Sequence, residues 1–123
     1  MPHRMEQAFH GVNKGAKVMK IMRTLIQEIE KRIKDHYGER FQGLILYGSM
    51  ARGEADDSSD MDLLVLLSQP LNYFQELREI IDILYPVQLE ADILISAKPA
   101  AVDEFEAGQI ELYRTAKREG LAL

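Results

Sequence analysis

The sequence contains no cysteine, which excludes disulfides and thiolate metal sites and makes a reducing compartment the natural default. It has no apolar run approaching the roughly 20 residues that a membrane-spanning helix needs. Residues 1–20 also lack the continuous apolar core of a secretory signal. By elimination, the expected location is the cytoplasm. A basic footprint is missing too: 20 acidic residues outnumber 15 basic ones, for a formal charge of −5. Proteins that grip nucleic acid neutralise its phosphates with Lys and Arg, so no direct nucleic-acid contact is expected. A nucleotide handled through bound cations stays compatible, because the metal supplies the positive charge. There is no internal repeat and no low-complexity segment.

What is there belongs to a folded protein: 123 residues, 46% hydrophobic and 28% charged. A chain of this size makes one domain that buries roughly two-thirds of its unfolded surface. Residues 1–17, with Gly11, Gly15 and two histidines, are expected to form a loosely held N-terminal segment, with the domain spanning 18–123. Val18, Ile21, Met22, Leu25, Ile26, Ile29 and Ile33 recur at helical spacing, predicting an amphipathic helix that stops near Tyr37-Gly38. The apolar runs Phe41–Tyr47 and Met61–Leu67 read as buried strands. Pro70 is expected to open a second helix, with Phe74, Leu77, Ile81 and Leu84 on one stripe, ending before Pro86. The alternation from Val87 to Ile95 predicts a third strand. Pro99–Glu106 and Gln109–Arg118 are expected to be helical, broken at Gly108 and capped by Gly120. This order predicts an α/β (α+β) domain with a small mixed sheet flanked by helices.

The chemistry concentrates in Leu46-Tyr47-Gly48-Ser49-Met50-Ala51-Arg52-Gly53 and Ser58-Ser59-Asp60-Met61-Asp62-Leu63. Residues two apart on a strand face the same side, about 6–7 Å apart, so the Asp60 and Asp62 carboxylates can lean toward one point. Without a partner they would repel one another and resist ionisation. A divalent cation removes that penalty, and oxygen-only donors suit Mg²⁺ or Mn²⁺ completed by substrate phosphate. Gly48, following a strand, lets backbone approach a phosphate closely. Ser49 offers an N–H and a hydroxyl, and Met50 to Arg52 is expected to begin a short helix. Arg52 reads equally as a phosphate ligand or as a loop anchor to Asp56 or Asp57. Taken alone, an Asp-x-Asp pair is often a solvated strand end, and Gly-Ser is usually only a turn. Their combination carries the signal.

Gly48-Ser49, ten intervening residues and Asp60-x-Asp62 resemble the signature of the nucleotidyltransferase superfamily typified by DNA polymerase beta. A chance match at four fixed positions in such a chain is on the order of 10⁻³. The short length resembles its minimal nucleotidyltransferase (MNT) branch. The resemblance implies a nucleotidyltransferase fold and transfer of AMP from ATP, with two Mg²⁺ ions held by Asp60, Asp62 and a third carboxylate. Asp92 is the candidate for that third position, as metal ligand and general base, with Glu90 as its competitor. Gly48, Ser49 and Arg52 are the nucleotide-binding candidates. In 123 residues no room is expected for the extra domains of template-directed and tailing relatives. Small MNT proteins resemble the antitoxin half of a pair whose other member is a helical HEPN toxin, and the implied acceptor is a tyrosine of that partner. Two other functions stay open: a binding module that neutralises its partner by occlusion, and a transferase for a small antibiotic-like molecule. A homo-oligomer is compatible with the sequence.

The remaining features take plainer readings. His3, His10 and His36 do not form a ligand set, and the six methionines read as core filler. Tyr47 reads as a packing residue beside the motif. Tyr73, Tyr85 and Tyr113 carry no specific signal. The acidic runs Glu54–Asp57 and Asp103–Glu106 read as solvated surface.

Overall fold

The computed structural model describes residues 15–56 and 58–123; most of the expected loose segment 1–17 lies outside them. Helix α1 spans Gly15–Tyr37. Its buried residues Ile26, Ile29, Ile33 and Tyr37 fall on one stripe at helical spacing. Pairs one turn apart, Arg32 with Glu28 at 2.6 Å and Lys31 with Asp35 at 2.9 Å, occupy the outer faces. Gly38, at φ +56°, supplies the left-handed stop, and a 3₁₀ turn over Gly38–Arg40 leads into the sheet.

Strands β1 (Phe41–Tyr47) and β2 (Met61–Leu67) pair antiparallel, with Tyr47 opposite Asp62. Helix α2 (Tyr73–Glu90) then crosses over to β3 (Ile95–Ala101), which runs parallel to β2. A parallel neighbour requires such a crossover. Helices α3 (Val102–Ala107) and α4 (Glu111–Glu119) follow, and the short β4 (Leu121–Ala122) pairs antiparallel with β1. The mixed sheet has the order β3-β2-β1-β4, so the expected α+β architecture holds.

The two faces of the sheet bury different cores. Leu44, Leu46, Met61, Leu63, Val65, Leu67 and Ala97 pack with the stripe of α1 and with Ile80, Leu84 and Val87 of α2; of the α2 stripe expected from sequence, Leu84 enters this core while Phe74 and Ile81 are exposed. Ile45, Tyr47, Leu64, Leu66 and Ala100 pack with Phe105, Tyr113 and Ala116 of α3 and α4. Burial on both faces explains why β1 and β2 read as continuous apolar runs rather than alternating ones.

Between Pro70 and Ala101 the structure departs from the sequence reading. Helix α2 starts at Tyr73, where the Asn72 side chain accepts the Gln75 N–H at 3.2 Å as an N-cap. It then runs through Pro86 to Glu90. An interior proline costs about 3 kcal/mol, but Leu84 and Val87 on either side of it are buried in the first core, and that packing outweighs the lost hydrogen bond. Val87–Glu90 is therefore helical, Ala91–Leu94 is a connection, and the third strand begins at Ile95. Pro99, expected in a helix, lies within this strand opposite Val65. Strand β3 is at the sheet edge, where a proline in a strand is tolerated.

Candidate active site

Because β1 ends where β2 begins, the loop from Gly48 to Asp60 closes over one end of the sheet. Gly48 sits at φ +77°, a conformation that L side chains rarely adopt. A Cβ there would collide with Asp62 Oδ2 and lie 3.3 Å from Asp62 Cγ. The glycine thus serves two ends at once, turning the chain and letting backbone lie directly against the Asp62 carboxylate. Beyond it the chain makes one hydrogen-bonded turn rather than a helix, with Arg52 N–H donating to Gly48 O at 3.2 Å and Glu54 N–H to Ser49 O at 2.9 Å. Met50, fully buried in the first core, pins this turn to the domain.

Arg52 pairs with Glu54 at 2.9 Å and with Glu119 of α4 at 3.5 Å. Among the described residues it anchors to these glutamates rather than to Asp56, and Asp57, the other aspartate expected from sequence, lies outside the described residues. Asp56 instead accepts the Ser58 N–H at 2.9 Å and the Ser58 hydroxyl at 2.8 Å, and its own N–H donates to Ser59 Oγ at 2.9 Å. These bonds hold the Asp56 carboxyl below its ordinary range and order the approach to Asp60.

Asp60 is exposed just ahead of β2, and Asp62 is half-buried within it. Burial pushes the Asp62 carboxyl up; Lys98 pulls it back, the nearby Asp60 charge raises it, and Arg52 lowers it, leaving it above the ordinary carboxylate value. A desolvated carboxylate beside a second one is the arrangement that a cation relieves. The fit to Mg²⁺ is good, because that ion takes one or two carboxylates and completes its shell with water and phosphate. The donors would be Asp60 and Asp62.

Asp92 and Glu90 do not share a strand face. Glu90 closes α2 and Asp92 stands exposed in the connection to β3, so the alternation argument that preferred Asp92 over Glu90 does not apply here. Met61 N–H donates to Leu94 O at 2.9 Å, which brings the Asp92 connection to the sheet end that carries Asp60 and Asp62. Among the described residues, no three acidic or histidine side chains gather closely enough to form a metal cluster; the connection that carries Asp92 lies at the same end of the sheet as the pair.

Two residues at this end, Ser96 and Lys98, were missed from sequence, whereas Tyr47 packs in the second core as expected. Register puts Ser96 beside Asp62, and Lys98 lies further along the same face of β3. The Tyr47 hydroxyl is buried with no hydrogen-bond partner among the described residues; burial, then the charge of Asp62, then Tyr73 push it up to about 12. Ser96 and Lys98 follow a simple two-residue alternation with Ala100, but Lys and Pro are poor strand formers, so the segment carried no strand signal.

The site is thus a glycine loop laid against a desolvated carboxylate, with a second carboxylate just ahead of it, at one end of the mixed sheet of a small α+β domain. The nucleotidyltransferase domain family matches residues 26–118, and the chain belongs to that family. It is 34% identical over 95 residues to "Putative protein adenylyltransferase MJ0141" of Methanocaldococcus jannaschii, covering 72% of this chain and 95% of that protein. It is also 38% identical over 47 residues to "Putative protein adenylyltransferase MJ1305" of the same organism, covering 38% of this chain and 32% of that one.

Proposed function

We propose that this nucleotidyltransferase moves AMP from ATP onto a hydroxyl of another protein, specifically a tyrosine of a HEPN-type toxin that it thereby silences. The observation that carries the transfer is the Asp60–Asp62 pair at the head of β2, with Gly48 against Asp62. The names of the two archaeal relatives support a protein acceptor. In this reading Asp60 and Asp62 hold Mg²⁺, with Mn²⁺ as a substitute. When bound, the metal neutralises charge on the phosphates. Gly48 and Ser49 bring backbone and hydroxyl to the phosphate chain. The acceptor oxygen forms a bond to the α-phosphorus, the bond to the bridging oxygen breaks, and pyrophosphate leaves. The hydroxyl proton passes to Asp92.

The test is incubation of the purified chain with α-labelled ATP, Mg²⁺ and a candidate HEPN partner, with Asp60→Asn and Asp62→Asn as controls. Label on the partner's tyrosine is expected, reduced at least about 10–100-fold in either variant, by comparison with losses typical of altered metal sites. Undiminished labelling by both variants would remove the site assignment.

A second reading, silencing by occlusion, has its own observation. Phe74, Ile81, Tyr85 and Leu89 are large, exposed and spaced along one side of α2, and an apolar helix face of this kind is suited to a protein partner. If both variants still silence the partner while transferring nothing, occlusion suffices.

A further inference from the structure

Strand β3 carries a cation for which the transfer scheme above has no role. Ala97 belongs to the core under α1 and α2, whereas Ala100 belongs to the core under α3 and α4. Alternation therefore puts Ser96 and Lys98 on the second face, which Asp62 shares with Leu64 and Leu66. Register sets Ser96 beside Asp62 and Lys98 beside Leu64, one strand repeat further along. Lys98 is half-buried, and its charge acts on Asp62 more strongly than that of Asp60 or Arg52.

The two cations near Asp62 differ in their engagements. Arg52 is occupied by Glu54 and Glu119. For Lys98 no carboxylate stands within ion-pair distance among the described residues. Apart from the longer-range pull of Asp62, the half-buried Lys98 ammonium is left open to take an anion. This site's proposed substrate is such an anion, and lysine presents a compact point charge that suits phosphate oxygens. Gly48 approaches Asp62 from the β1 side and Lys98 lies on the β3 side, so a phosphate chain crossing Asp62 would meet the loop on one flank and the ammonium on the other.

We infer that Lys98 is a ligand for the phosphate chain of the nucleotide, gripping it from β3 on the side of Asp62 opposite the Gly48 loop. This rests on reading the site as nucleotide-binding. The step involves no covalent change at Lys98; the ammonium holds negative charge that grows on the departing pyrophosphate.

The experiment compares calorimetric affinities of the full chain and of Lys98→Met and Lys98→Arg for MgATP and for adenosine, with Mn²⁺ binding followed separately by its paramagnetic signal. Loss of one charged hydrogen bond predicts MgATP binding about 10–100-fold weaker in Lys98→Met. Lys98→Arg should recover part of the loss, and adenosine binding should not change. If Lys98 served only to balance Asp62, Lys98→Met would tighten Mn²⁺ and leave the ratio of ATP to adenosine affinity as it was. That result overturns the inference, as does unchanged MgATP affinity. Wild-type protein that binds no MgATP would remove the nucleotide-site reading itself, and so fails differently from a wild type that binds alongside an unaffected Lys98→Met. Melting curves of both variants establish that they fold.

Discussion

Asp62 is where stability and function pull apart most visibly. Burial, aided by Asp60, raises its carboxyl above the ordinary value despite Lys98 and Arg52. For an acid whose folded pKa is raised, the associated stability is present at low pH and is lost as pH climbs through that folded value. At neutral pH, without metal, ionised Asp62 therefore weakens the fold. Asp62→Asn should melt at or above wild type in metal-free buffer at pH 7, by about 1–4 °C. Wild type, but not the variant, should gain stability on adding Mg²⁺ with a nucleotide. Thermal melts with and without MgATP check this, and a variant that melts well below wild type in chelator would mean that the carboxylate makes a contact the fold needs. Asp60, Asp62, Gly48 and Ser49 were legible in the sequence because they lie on one loop and the strand it feeds, so spacing alone puts them together. Lys98 and Ser96 were not, since their place beside Asp62 depends on a parallel register with a strand far along the chain.

The α2–β3 connection shows how a single element can be misread. The residues from Val87 to Ile95 alternate well enough for a strand, and Pro86 reads as a stop. Local pattern loses here to packing, since Leu84 and Val87 both enter the first core. The helix end is then secured by a side chain. Gln88 donates through Nε2 to Ile93 O at 2.9 Å and accepts the Ile95 N–H on Oε1 at 2.7 Å. One amide thus satisfies backbone at Ile93, within the connection that carries Asp92, and at Ile95, where β3 begins. No sequence pattern announces such a role, because it is defined only once the helix has turned back on the strand. Gln88→Ala leaves those two partly buried backbone groups without their partner, so a loss of about 1–3 kcal/mol is expected in urea unfolding. Amide exchange at Ile95 should accelerate as well. A variant with wild-type stability and unchanged exchange would show that water replaces the glutamine without penalty.

Across the whole molecule, the end of the sheet opposite the site is held by one polar cluster. Arg40, at the entry to β1, bonds to Glu76 of α2 at 3.1 Å, to Pro70 O at 2.7 Å and to Ser68 O at 3.4 Å. The Tyr37 hydroxyl at the end of α1 donates to Glu76 at 3.0 Å. A cluster that ties both long helices to the sheet was invisible in sequence, where Arg40 and Glu76 are ordinary surface types, although the α+β order of the elements was legible from periodicity. Burial pushes the Glu76 carboxyl up, but the hydrogen bonds from Arg40 and Tyr37 outweigh it, leaving it below its ordinary range. For a depressed carboxyl, stability is fully present above the unfolded-state pKa of about 4.3 and is lost as pH falls through the folded value. Wild type should therefore lose stability through this cluster below about pH 4. Glu76→Gln should cost about 1–3 kcal/mol at pH 7, toward the lower end because Arg40 is partly exposed and screened. The gap between the two proteins should then narrow as the acid limb is descended, while MgATP affinity at the far end of the sheet stays the same. Urea unfolding at pH 7 and pH 3 decides it: curves that remain equally separated at both values would mean that Glu76 supports the fold through shape and neutral hydrogen bonds rather than through its charge.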